Sequence, residues 1–297
     1  MNPIELTGVH KAFRTKTALR GMSLSIEPGQ LVGFVGPNGS GKTTCLRILL
    51  GILRQDAGTA RVLGMNPDRD ALRIRKHSCY LPGETSIYQH MRGAEFLHFA
   101  LGFYPSLQGD LMSRLAGTFQ LPLQKKVRDY SAGMKQKLAL MATLIPDVEV
   151  YFLDEPDRAL DATTRFFVRD VLRDLRAAGK TILLSSHHLK DVESIADELV
   201  FIMDGARISD ERIAAAHAAL RRRVRLRLQP DAVLPASVLT DGAEEIRIDA
   251  DGTRHMEPRG NLAEWVARIP SETLVSAEIG TVHLEDLYRL LTEDAAQ

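Results

Sequence analysis

The stretch Gly36-Pro37-Asn38-Gly39-Ser40-Gly41-Lys42-Thr43-Thr44 carries the clearest chemistry in the chain. It fits the spacing GxxxxGK[ST], in which glycines let successive backbone N–H groups turn inward around phosphate oxygens. A helix beginning at the lysine adds the partial positive charge of its N-terminus, Lys42 supplies a point charge, and Thr43 offers a hydroxyl to Mg²⁺. A second carrier is Glu149-Val150-Tyr151-Phe152-Leu153-Asp154-Glu155-Pro156, where an apolar strand ends in two adjacent carboxylates. Two acids in that place divide the labour of phosphoryl transfer, Asp154 holding the Mg²⁺ shell and Glu155 polarising an attacking water. Adjacent acids are common on surface loops and uncommon at the end of a hydrophobic strand.

These residues need a frame that brings two strand ends together. From Glu5 to Arg207 short apolar runs alternate with longer amphipathic ones, the pattern of a parallel sheet covered by helices. The runs at 31–35 (LVGFV), 150–153 and 181–184 (TILL) are too continuous for a sheet with one wet face and read as buried strands. Each is followed by polar residues, and ligands of open α/β sheets bind beyond the carboxyl ends of the strands. After the first run, Leu46, Leu49, Leu50 and Leu53 define one face of a helix. Between about 84 and 145 no strand is expected, and Phe96, Ala100, Phe103, then Met134, Leu138, Met141 and Ile145 recur at helical spacing, which predicts an inserted helical subdomain. Its aromatics between Tyr88 and Tyr104 are expected to be mostly core.

Asp204-Gly205 predicts a two-residue hairpin turn, followed by an alanine-rich helix. The boundary is expected at 220/221, giving a 1–220 domain and a small α+β domain over 221–297. In the latter Arg223 to Leu228 alternates like a half-exposed strand, residues 246–249 with Asp251-Gly252 suggest a second strand and turn, and Asn261 with Glu264 predicts a capping box. That helix is expected to bury Leu262, Trp265, Val266 and Ile269. The five arginines at 221, 222, 223, 225 and 227 are a local patch on a tail with 10 basic and 14 acidic side chains, so the expected role is a solvated strand face, with contact to lipid headgroups or nucleic acid as the alternatives.

Composition narrows the function. Lys plus Arg number 38 and Asp plus Glu number 38, so there is no global field to hold a polyanion. Cys45 and Cys79 are too few and too far apart for a disulfide framework or a cysteine zinc site, which fits a reducing cytoplasm. No uncharged stretch is longer than 96–109, which falls short of the roughly 18 apolar residues of a spanning helix, and residues 1–14 lack the apolar core of a secretion signal. Any membrane role is therefore expected to come through a partner.

From about residue 4 to 208 the chain resembles the ATP-binding subunit of an ABC transporter. Besides the two segments above, Tyr130-Ser131-Ala132-Gly133-Met134-Lys135-Gln136 is similar to the family signature, Ala159-Leu160-Asp161 to the D-loop, Ser185-Ser186-His187 to the switch-histidine segment, and His283-Leu284-Glu285-Asp286-Leu287-Tyr288 to an ending of ABC-2 exporter ATPases. The resemblance implies a P-loop NTPase (RecA-like) α/β core with an inserted helical subdomain, plus the small C-terminal α+β domain. It also implies ATP and Mg²⁺ as ligands, with Gly36, Pro37, Asn38, Gly39, Ser40, Gly41, Lys42, Thr43 and Thr44 around the phosphates, Phe13 on the adenine, and Thr43 and Asp154 on the metal. Glu155, His187 and Lys42 would be catalytic, Asp161 would be among the nucleotide-binding residues, and Ser131 and Gly133 would stabilise charge on a partner's ATP. Ser131 would cap a helix whose free N–H groups face a γ-phosphate.

One P-loop and one signature imply a head-to-tail C2 homodimer, each signature closing over the other chain's ATP. The implied partners are that second nucleotide-binding subunit and an integral-membrane permease, which would hold the chain peripherally on the cytoplasmic face and export a small molecule or lipid-like cargo. A rival is a soluble ABC ATPase acting on nucleic acid or the ribosome; the single domain and neutral charge argue against nucleic acid. A GTPase would need an [NT]KxD base-reading segment, which is absent. Two departures from the family pattern stand out. Tyr80-Leu81-Pro82-Gly83-Glu84 puts Gly83 where the family has the Q-loop glutamine, with Glu84 and Gln89 both open as substitutes, and Asp157-Arg158 replaces a small polar pair before the D-loop.

Overall fold

The computed structural model describes residues 1–14, 16–84, 87–186, 189–230, 232–239 and 243–293. It divides into two units, Met1–Ile208 and Ser209–Gln297. In the first, β1 (Ile4–Phe13) and β2 (Lys16–Ile26) form an antiparallel pair, β3 (Leu31–Val35) leads through a loop into α1 (Lys42–Leu49), and β4 (Ala57–Val62) returns beside β1. Then come α2 (Pro67–Lys76), β5 (Ser78–Leu81), α3 (Gly93–Leu101), α4 (Gly109–Phe119) and α5 (Ala132–Leu144). After them follow β6 (Val150–Asp154), α6 (Ala162–Ala177), β7 (Thr181–Ser185), α7 (Leu189–Glu193), β8 (Glu198–Met203) and β9 (Ala206–Arg207).

The main sheet has the order β5-β6-β7-β3-β8-β9, parallel except for the terminal β8–β9 hairpin. That hairpin turns on Asp204 and Gly205, both left-handed at φ 47° and 82°, which matches the strand twist as a type I′ turn does. Alternate residues of each central strand enter different cores. Tyr151 and Leu153 face the helices α3 to α6, and Val150 and Phe152 face α1 and the β1-β2-β4 sheet. A strand buried on both faces has no polar alternate positions, which is why its sequence reads as an unbroken apolar run. Burying rings such as Phe34 and Phe152 contributes about 2 kcal/mol each. Cys45 and Cys79 are free and buried, and burial pushes both thiols up to about 12.

The second unit begins with α8 (Asp210–Arg221) and continues through β10 (Val224–Leu228), α9 (Ala236–Leu239), β11 (Ala243–Ile248), β12 (Arg254–Pro258), α10 (Leu262–Val266), β13 (Leu274–Ile279) and α11 (Leu284–Glu293). Its four strands are antiparallel in the order β11-β12-β10-β13. Val224, Leu226 and Met256 pack around Trp265, whose indole N–H donates to the Val238 carbonyl at 3.1 Å. Asn261 caps α10 by accepting from Ala263 N and Glu264 N.

The boundary differs from the expected one at 220/221. The alanine-rich α8 belongs to the second unit because it packs on α11, where the Arg212 guanidinium donates to the Leu291 carbonyl at 3.0 Å. The aromatics of the helical region also differ. Phe96 and Tyr104 pack inward, but Tyr88, Phe99 and Phe103 are 52%, 42% and 66% exposed and stack edge to face in a row. Among the described residues no helix is long and apolar enough to cross a membrane.

Candidate active site

Strand register gathers the reactive ends. Phe34 pairs with Ser185 across β3–β7, and Asp154 pairs with Ser185 across β7–β6, so the loop after β3 and the carboxylates after β6 emerge at one edge with β7 between them. The loop turns through Gly39 at φ 82° and Gly41 at φ 111°. A Cβ on Gly41 would also lie 2.6 Å from the Ala18 carbonyl oxygen, so only glycine fits there. Gly41 is the N-cap of α1 and offers no side chain, which leaves the first amides of the helix to whatever occupies the loop.

Lys42 is 8% exposed and donates from Nζ to the carbonyls of Gly36 and Pro37 at 2.7 and 3.0 Å. Burial lowers its pKa, partly opposed by the charges of Asp154 and Glu155. The Thr43 hydroxyl donates to Asp154 Oδ2 at 2.6 Å, and the Ser185 hydroxyl donates to Asp154 Oδ1 at 2.5 Å. Both carboxylate oxygens of this 3%-exposed aspartate are thus oriented by hydroxyls. Glu155 lies at φ 52°, a left-handed conformation that costs a non-glycine residue on the order of 1–3 kcal/mol. Its amide donates to the Ser185 carbonyl at 2.9 Å, and Gln136, buried in α5, donates to the Glu155 and Pro156 carbonyls at 3.3 and 3.1 Å. This arrangement is suited to holding polyphosphate and a hard cation beside a second carboxylate able to take a proton from water.

Residues 19–158 match the family model described as ABC transporter. An uncharacterized ABC transporter ATP-binding protein of Nostoc sp. is 38% identical over 195 residues, covering 63% of this chain and 58% of that one. A Nod factor export ATP-binding protein I of Burkholderia orbicola is 34% identical over 227 residues, covering 75% of this chain and 74% of that one. The chain belongs to the ABC transporter family. It matches less than two thirds of the Nostoc relative's own length. The fold is likewise that of a solved ATP-binding cassette, a dimer in a post-hydrolysis state bound to ADP and Pi, with a TM-score of 0.63 at 20% identity over 69% of this chain and 97% of that one.

Within the ABC transporter frame, Ser131 caps α5 by accepting from Met134 N at 3.3 Å, and a Cβ on Gly133 would lie 2.8 Å from the Ala159 carbonyl. The signature segment therefore rests on the loop after Glu155. Asp161 caps α6, accepting from the Thr164 amide and hydroxyl at 2.8 Å each, and the Thr164 bonds hold its carboxyl below the usual range. Phe13 is 44% exposed at the end of β1, pairs with Lys16 in register, and has Lys11 Nζ 5.4 Å from its ring centroid. His187 lies outside the described residues.

Four residues make contacts at the site that the sequence alone does not reveal. Ser185 orients Asp154 from the neighbouring strand and was signalled only by its place at a strand end. Gln136 reaches the Glu155 loop from within the signature. Lys16 and Arg20 of β2 line a cleft of about 340 Å³ beside Pro37, Asn38, Gly39 and Ser40, and nothing in their spacing marks them.

Proposed function

We propose that this chain is the ATP-hydrolysing subunit of an ABC transporter, driving a separate integral-membrane permease from the cytoplasmic face, with export of a small molecule or lipid-like cargo. The observation that carries this reading is the bonding of Asp154 to Thr43 and Ser185 beside Lys42 and Glu155. The residues fit Mg-ATP. Thr43 and Asp154 are hard oxygen donors of the kind Mg²⁺ takes, and the Ser40 hydroxyl in the loop is buried without a hydrogen-bond partner. Among the described residues no cluster of three or more His, Cys, Asp or Glu forms a metal site, so phosphate and water would complete the shell. When bound, the ion neutralises charge on the terminal phosphates.

The loop amides and Lys42 hold the polyphosphate and offset charge developing on the transferred group. Glu155 polarises water, which attacks the γ-phosphorus as the bond to the ADP oxygen breaks, and its carboxylate takes the proton. Phe13 stacks on adenine. Ser131, Gly133 and Asp161 act on the ATP of a second copy in a head-to-tail homodimer, as befits a cassette whose solved relative is dimeric. The groove of about 580 Å³ bordered by Pro82, Phe99 and Phe103 and rimmed by Arg73, Arg75 and Lys76 receives a cytoplasmic helix of the permease. Export is the role in the names of relatives such as the Nod factor export protein. Nucleic acid is not favoured, since Arg225 and Arg223 of the arginine strand pair with Glu278 and Glu257 at 3.3 and 3.8 Å.

The test is turnover against binding in Glu155→Gln. The expected result is loss of hydrolysis by at least about 100-fold with ATP affinity retained, since general-base catalysis contributes roughly 10²–10⁴-fold. Equal turnover in both proteins removes Glu155 as the base.

A further inference from the structure

The two departures from the family sequence pattern meet in space. Gly83 stands where a glutamine is usual and Arg158 where a small residue is usual, 75 positions apart, and the Arg158 Nη1 donates to the Gly83 carbonyl at 2.8 Å. Gly83 runs close against the metal-binding aspartate: a Cβ there would lie 3.3 Å from both the carboxyl carbon and Oδ2 of Asp154, and Oδ2 is the oxygen that accepts from Thr43. At its other end Arg158 is tied to the loop of the proposed base, because its amide donates to the Glu155 carbonyl at 3.2 Å. That same carbonyl accepts from Gln136 of the signature helix. On the far side of Gly83, Pro82 and Leu81 line the aromatic groove.

We propose that Arg158 is a positioning residue that replaces the missing side chain at position 83, tying the 82–84 backbone to the Glu155 loop so that displacement of Pro82 by an occupant of the groove moves the base relative to Asp154. A glutamine would make this link from its own side chain toward the site. Here the link runs the opposite way, from the loop after β6 back to a bare main-chain carbonyl. The guanidinium suits the task because its planar N–H groups are fixed in direction, and a charged donor to a carbonyl is stronger than a neutral one. Gly83 suits it because no side chain stands between the carbonyl's peptide and Asp154. The proposal rests on the ATPase reading for its consequence in turnover, but the tether itself is a property of the chain alone.

The experiment compares wild type, Arg158→Ala and Arg158→Lys as full-length chains by amide hydrogen exchange and by steady-state ATP turnover. In Arg158→Ala, peptides covering 79–84 and 155–161 are expected to exchange about ten-fold faster together while α1 is unchanged, as when one cooperative local unit is loosened. The ATP KM stays within about two-fold and kcat falls about ten-fold, the split expected of a group that acts on transition-state geometry rather than on binding. Arg158→Lys, which keeps a charged donor, restores part of both effects. Arg158 is exposed, so the alanine variant folds. Unchanged exchange over 79–84, or a wild-type kcat in Arg158→Ala, overturns the proposal. A wild-type chain with no turnover but with the coupled exchange response sinks the ATPase reading and leaves the tether standing.

Discussion

Lys42 illustrates at the scale of one residue how function opposes stability. Its pKa is lowered mainly by burial, so folding disfavours the charged form. The unfolded chain then binds more protons than the folded one at pH values between the lowered pKa and the ordinary 10.5, and stability contributed by this group rises with pH across that window. Lys42→Met is therefore expected to leave the melting temperature unchanged or raised at pH 7 while abolishing ATP binding; a drop of several degrees in a thermal melt contradicts this. Ser185→Ala removes one of the two hydroxyls on Asp154, and turnover should fall about ten-fold with a raised Mg²⁺ requirement, in the range of losing one hydrogen bond to a charged group. An unchanged Mg²⁺ titration would discharge Ser185 from that role. The phosphate loop and Asp154-Glu155 were legible because their chemistry is local in sequence. Ser185 and Gln136 were not, because their partners lie 31 and 19 positions away and only strand register or helix packing reveals the pairing.

At the scale of elements, the loop between β3 and α1 is held by its glycines. Gly41→Ala must accommodate both a left-handed φ of 111° and a Cβ at 2.6 Å from Ala18 O. The expected outcome is a destabilisation of about 2–4 kcal/mol with loss of nucleotide binding, measured by denaturant unfolding and nucleotide titration. The strands were readable because burial on both faces leaves an unbroken apolar signature. The recurrence of Phe96, Ala100 and Phe103 does not reveal that Phe103 is exposed, because such spacing records which positions share a face, not whether that face is covered. The same ambiguity hid the end of the first unit: α8 is alanine-rich, and only its packing on α11 assigns it.

At the scale of the whole molecule, the two units have separate hydrophobic cores. Truncating Trp265, 1% exposed at the centre of the second, should cost that unit about 3–5 kcal/mol. Calorimetry of Trp265→Ala is expected to lower one unfolding transition and leave the other, with ATP affinity unchanged; a single transition shifted as a whole would mean the cores unfold together. On the proposed reading the chain hydrolyses ATP on behalf of a membrane partner. The most direct test of that reading is affinity purification of tagged Glu155→Gln protein with Mg-ATP from detergent-solubilised membranes, followed by identification of what accompanies it. The expected companion is a polytopic membrane protein in stoichiometric amount, released when Phe99 and Phe103 are both changed to Asp. Recovery of ribosomes or DNA with no membrane protein would contradict it.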